Sequence, residues 1–157
     1  MHIGIDIDGV LSKRSPIQGS YAKGQLLLKL VNLLPGDIGK YWLLHRTAVR
    51  DDIQIAQEIT QNHRVTVITA RPIQFHRVTK RWLTEYAQIS FDNLYCIGLS
   101  HHVPERKYTY AQEAGVDIFI DDTQEITKYM EDQGLPTIQF ASWQETAEAL
   151  KTYANES

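Results

Sequence analysis

The sequence predicts an α/β fold: a doubly wound parallel sheet of about five strands, with a small helical cap inserted after the first strand. Three observations predict it. Short β-branched runs alternate along the chain with longer helix-patterned stretches. Three of the strand candidates are continuous apolar runs, as expected of strands covered on both faces. The helices between them carry start and stop signals that agree with one another.

The candidate strands are HIGID (2–6), RVTVIT (64–69), NLYCIG (93–98), DIFID (117–121) and TIQF (137–140). After the second, Pro72 sits where a first helical residue would stand, and that helix is expected to run to about Gln88. Pro104 opens the next helix and Gly115 closes it. Beyond Asp121, the residues Ile126, Tyr129 and Met130 share one helical face, which ends at Gly134 with Pro136 beyond. The last helix starts at Ser142-Trp143-Gln144-Glu145, a capping box in which each side chain is expected to satisfy the other's free backbone N–H.

The interval between the first two strands is longer than the roughly 30 residues of an ordinary βαβ unit. Its last part, with Ile53, Ala56 and Ile59-Thr60, reads as a core helix leading into the second strand. The rest, residues 11–49, reads as the helical cap: QLLLKLVNLL (25–34), the turn PGD (35–37) and a second helical stretch with Tyr41, Trp42, Leu43 and Leu44. The core is therefore expected to comprise residues 1–10 and 50–157. An insertion after a parallel strand lies at the carboxyl end of the sheet, where such sheets bind ligands.

The chain has 157 residues, 16 Lys+Arg against 19 Asp+Glu, and a formal net charge of −3. That length suits one domain. Hydrophobic residues at 43% and charged residues at 22% are globular values that exclude disorder as the main state. The balance argues against binding a nucleic-acid polymer, which needs a basic face. Cys96 is the single cysteine, so neither an internal disulfide nor a cysteine-based zinc site is available. No run approaches the roughly 18 apolar residues of a membrane span, and Asp6 and Asp8 interrupt any signal-like N-terminus. A soluble cytoplasmic protein is the expectation.

Chemistry concentrates at strand ends. Asp6 and Asp8 in DIDGV point to one side as they leave the first strand, a pair that repels without a cation and suits a hard divalent metal. An Asp-Gly turn is the plain alternative. Asp121-Asp122 again follows an apolar strand; Asp122 with Glu125 could be a helix cap, but Asp121 ends a buried strand. Thr69 ends the second strand before Ala70-Arg71-Pro72, where a hydroxyl and free N–H groups could receive a phosphate, or where Thr69 simply neighbours a cap. Lys107 lies near the start of the helix preceding the fourth strand; most lysines are solvated. His101-His102 reads as a surface pair, since adjacent loop side chains point apart.

The order of these parts, acidic strand end, Thr strand end, Lys, acidic strand end, resembles the haloacid dehalogenase-like phosphohydrolase superfamily. Its four signatures map onto Asp6-x-Asp8-Gly9, Thr69, Lys107 and Asp121-Asp122. The string VITARP (67–72) and the paired aspartates look like the cytosolic 5'(3')-deoxyribonucleotidase-type branch. A receiver domain gathers Asp, Thr and Lys too, but its Lys follows the last acidic site, so the order excludes it. The resemblance implies a Rossmann-like sheet of strand order 5-4-1-2-3. It implies Asp6 as nucleophile and Asp8 as general acid and then base. Mg²⁺ would be held by Asp6, the backbone carbonyl of Asp8, Asp121 and Asp122, the last directly or through water. Thr69, the N–H of Ala70 and Lys107 would hold the phosphate.

The expected partner is a small phosphorylated metabolite, a nucleotide or a sugar phosphate, with neither a nucleic-acid polymer nor a membrane involved. A non-catalytic phosphate-binding module of the same fold is the rival from another class. In the cap, Tyr21, Tyr41 and Trp42 could stack on a base, and Lys13, Arg14, Lys40, His45 or Arg46 could meet extra negative charge. Packing of the cap on itself, around Leu26, Leu27, Leu30, Val31 and Leu34, is the reading favoured for Trp42.

Overall fold

A computed structural model of the chain describes residues 1–13, 49–98 and 102–156. The five strands are β1 (His2–Ile5), β2 (Arg64–Thr69), β3 (Asn93–Cys96), β4 (Ile118–Asp121) and β5 (Thr137–Gln139). They form one parallel sheet in the order β3-β2-β1-β4-β5, which read from the other edge is 5-4-1-2-3. The helices are α1 (Ile53–Asn62), α2 (His76–Arg81), α3 (Val103–Ala114), α4 (Gln124–Asp132) and α5 (Trp143–Glu156).

The period-two alternation of the strands separates two cores. Ile3, Ile5, Val65, Val67, Ile118 and Ile120 pack with Ile53 and Ala56 of α1 and with Trp143 and Leu150 of α5. On the opposite face Ile68 and Phe119 pack with Val103 and Ala111 of α3 and with Ile126 and Met130 of α4. Each fully buried aliphatic or aromatic side chain contributes about 1.5–3 kcal/mol, so the sheet is held from both sides. Gly4 is at the centre of β1 because Phe119 fills the space where its Cβ would be.

Several local details differ from expectation. Pro72 is not the first helical residue: its φ of −59° and ψ of 147° are extended, and its carbonyl accepts from the N–H of Phe75. The segment after it changes pitch twice, a 3₁₀ turn at Ile73–Phe75, then α2, then a π-helical turn at Trp82–Ala87, ending at left-handed Gln88. The capping box of α5 is half formed. The N–H of Glu145 donates to Ser142 Oγ at 3.2 Å, but the Glu145 carboxylate takes the Ser142 hydroxyl at 2.9 Å instead of a backbone N–H. Asp52 supports the helix start at a different group, accepting from the N–H of Trp143 at 3.1 Å.

The predicted cap lies, but for its stems, outside the described residues, and so do its candidate contacts Arg14, Tyr21, Lys40, Tyr41, Trp42, His45 and Arg46. The stems meet: Ser12 and Val49 pair across an antiparallel bridge, and the N–H of Arg50 donates to the carbonyl of Leu11 at 3.3 Å. Whatever the chain does from 14 to 48, it leaves and returns beside the loop that follows β1. Among the described residues no helix is long and apolar enough to cross a membrane.

Candidate active site

The loop after β1 is wound tightly on Ile7, whose carbonyl accepts from the N–H groups of Val10, Leu11 and Ser12. Asp6 remains tied to the sheet through its N–H on the carbonyl of Ile120, 3.0 Å away. This places Asp6 between the ends of β1 and β4, beside Asp121.

Lys107 is delivered from α3. Its side chain crosses the face of the sheet over Phe119, with Nζ 5.8 Å from the ring centroid. Nζ ends 2.8 Å from Asp6 Oδ1 and 2.6 Å from Asp121 Oδ2. The plain alternative of a solvated surface lysine does not hold, because Lys107 is only 1% exposed. Burial alone would lower its pKa; Asp121 and Asp6 outweigh that and push it above the usual lysine value. Asp6 is also raised, to about 7, which for a carboxyl favours the neutral form: burial is the main cause, Lys107 opposes it, and Asp121 and Asp8 add to it.

The second acidic strand end is built around Thr123. Its N–H donates to Asp121 Oδ1 at 2.9 Å and its hydroxyl to Asp122 Oδ1 at 3.3 Å. The N-cap position of α4 is Thr123, so Asp122 is not the helix cap that its spacing from Glu125 allowed. Gly9 is the residue that makes room for Asp122. With φ of 102°, it presses its bare Cα against the carboxylate, where any side chain would overlap.

Asp6, Asp121 and Asp122 each offer one oxygen, all three within 4.8 Å of one another. Oxygens on opposite sides of a hard divalent ion stand about 4 to 5 Å apart, and carboxylates are the donors such ions choose. The donor set therefore fits Mg²⁺. The Asp8 carboxylate is outside this cluster, engaged elsewhere. Arg71 donates from Nε to its Oδ2 at 2.9 Å and from Nη2 to its Oδ1 at 2.7 Å. Burial pushes Asp8 up, but Arg71 more than offsets it and holds the carboxyl below the usual range.

Arg71 is the residue that sequence reasoning missed. It was visible inside VITARP, yet nothing in a string of letters says which carboxylate an arginine will meet. With Arg71 included, four carboxylates face two cations, which leaves two negative charges for a divalent ion to balance. Thr69 is buried beside this pair, its Oγ1 accepting from the N–H of Arg71 at 3.3 Å. Ala70 packs against the core on the α3 side. His102 of the predicted surface pair is largely exposed and faces Glu105 at 3.7 Å; His101 is outside the described residues.

No family model matches the chain, and no curated protein matches its sequence. Solved structures do match its fold. A chain in the Pnkp1/Rnl/Hen1 RNA repair complex is similar over 88% of this chain and 42% of its own, with a TM-score of 0.59 and 17% identity. The present chain thus spans under half of that one's length. A haloacid dehalogenase-like family hydrolase from Streptococcus pneumoniae is similar over 87% of this chain and 82% of its own, at TM-score 0.53 and 15% identity. A haloacid dehalogenase-superfamily hydrolase of subfamily IA from Geobacter sulfurreducens is similar over 87% and 84%, at 0.56 and 14%. The fold is the haloacid dehalogenase-like one.

Proposed function

We propose that this protein is a Mg²⁺-dependent phosphohydrolase that acts on a small phosphomonoester through an aspartyl-phosphate on Asp6. The observation that carries the reading is the convergence of Asp6, Lys107, Asp121 and Asp122 at the carboxyl end of the sheet. That site is short of two positive charges and lined with hard oxygen donors. When bound, Mg²⁺ supplies charge neutralisation for the transferring phosphoryl group.

The chain's own residues divide the rest. An Asp6 carboxylate oxygen attacks phosphorus, the bond to the leaving oxygen breaks, and that oxygen takes a proton from Asp8. Water then attacks phosphorus, the bond to Asp6 breaks with its electron pair returning to the carboxylate, and the water proton passes to Asp8. An ammonium has three donors, and Lys107 spends two on Asp6 and Asp121, leaving one for a phosphate oxygen. The Thr69 hydroxyl and the N–H of Ala70 serve the other oxygens. Such preorganised donors carry most of the acceleration in phosphoryl transfer.

The likeness of VITARP to the deoxyribonucleotidase branch makes a nucleoside monophosphate the first substrate to try, with sugar phosphates next. The experiment is a panel of both, assayed with Mg²⁺ and with a chelator. Turnover that stops on chelation and favours one class supports the reading and names the substrate. Tight phosphate binding without turnover of any ester would favour the non-catalytic module.

A further inference from the structure

Arg71 has a role of its own in this site, and its surroundings show a residue built to hold something still. It is 7% exposed, with its guanidinium 5.4 Å above the centroid of the Trp82 ring. Its backbone is fixed at both ends: the N–H donates to Thr69 Oγ1 at 3.3 Å, and the carbonyl accepts from the N–H of Gly98 at 2.9 Å. Trp82, wholly buried, opens the π-helical turn after α2, and its ring lies beneath the guanidinium. The group it grips is more open, since the Asp8 side chain is 29% exposed against 7% for Arg71. A fixed holder grips a side chain that solvent reaches.

Among the described residues the grip leaves one position of the carboxylate open. A carboxylate oxygen has two lone-pair directions. Among the described residues Oδ1 accepts from Arg71 Nη2 and, at 3.4 Å, from Ser12, while Oδ2 accepts only from Arg71 Nε. A two-bond fork fixes the carboxylate plane as well as its distance, which a single ammonium contact does not.

We propose that Arg71 is a positioning residue for the second half of the reaction, holding Asp8 so that the open lone pair of Oδ2 receives the proton of the attacking water. The proposal rests on the phosphohydrolase reading above. In that half-reaction the water oxygen bonds to phosphorus, the phosphorus–Asp6 bond breaks, and the proton goes to Oδ2; nothing else is consumed. Arg71 touches neither substrate nor water and acts through Asp8 alone. Formation of the aspartyl-phosphate from an ester with a good leaving group needs no proton from Asp8, because the leaving group departs as its anion.

The test is stopped-flow release of nitrophenolate from p-nitrophenyl phosphate, with Mg²⁺, by the wild type and by Arg71→Lys and Arg71→Gln. Lysine keeps the charge and loses the fork; glutamine loses both. The expected result is a burst approaching one nitrophenolate per protein in each variant. A steady phase slowed by about tenfold or more should follow, in line with the usual worth of a positioned base. Mg²⁺ binding by calorimetry should stay at the wild-type level in Arg71→Lys, which keeps the charge. A burst that shrinks with the steady rate, a steady rate equal to wild type, or a loss that tracks weakened Mg²⁺ binding would each overturn the assignment. A wild type that releases no nitrophenolate at all would remove the phosphohydrolase reading and the role of Arg71 with it.

Discussion

Lys107 Nζ lies 2.6 Å from Asp121 Oδ2, a buried ammonium against a carboxylate that solvent does not reach. The same nitrogen reaches Asp6, so removing it strands two buried acids at once. Breaking a buried pair by deleting one partner typically costs about 3–5 kcal/mol. Lys107→Met should therefore destabilise the metal-free protein by about that much, read from urea denaturation. Adding Mg²⁺ should recover part of the loss, because the ion replaces the missing charge. An unchanged midpoint would contradict the charge balance drawn here.

Asp6 provides a pH dependence of definite sign. An unfolded Asp gives up its proton near pH 3.9, whereas folded, metal-free Asp6 keeps it to about 7. Between these values the folded state binds more protons than the unfolded one, so stability falls as pH rises. Chelator-treated protein should thus lose stability from about pH 4 to 7, and Asp6→Asn should flatten that slope. The lowered Asp8 and Asp52 carboxyls act with the opposite sign, since their contribution is lost as pH falls through their own folded values. A slope that survives Asp6→Asn would place its origin elsewhere.

Gly9→Ala tests the close approach of the β1 loop to Asp122. Alanine at a φ of 102° is strained, and its Cβ would overlap the carboxylate. Asp122 must move, so Mg²⁺ affinity by calorimetry should fall by about tenfold or more, the usual effect of disturbing a ligand's support. Affinity equal to wild type would show that Asp122 does not hold the ion.

Gly4→Ala tests the core instead of the site. A Cβ there would overlap the buried ring of Phe119, and overpacking of this kind costs about 1–3 kcal/mol. The stability loss should appear with little change in Mg²⁺ affinity, because Gly4 touches no ligand.

Much of this was legible in the letters, and the failures have physical causes. β2 from Arg64 to Thr69 follows from the β-branched run Val65–Thr69, and the sheet order agrees with the one that the family resemblance implied. Pro72 misled because proline fixes φ but leaves ψ free, so it closes the extended segment rather than opening the helix. Asp122 fitted a cap by spacing, yet Thr123 at the N-cap position left its carboxylate to the site. Lys107 was reached through the order of the motifs and not from its own surroundings, and Arg71 shows the main gap: a cation's partner is set by what the turn after Thr69 packs against, which no local pattern encodes.

The proposed function stands on Asp6 as the nucleophile of a Mg²⁺-dependent phosphohydrolase. The most direct measurement is steady-state hydrolysis of p-nitrophenyl phosphate by the wild type and by Asp6→Asn, with Mg²⁺ and with a chelator. Turnover is expected only for the wild type with Mg²⁺, with a loss of at least about 10³-fold in Asp6→Asn, the scale of removing a group on which the reaction depends. Equal turnover by Asp6→Asn, or turnover by the wild type that persists in chelator, would contradict it.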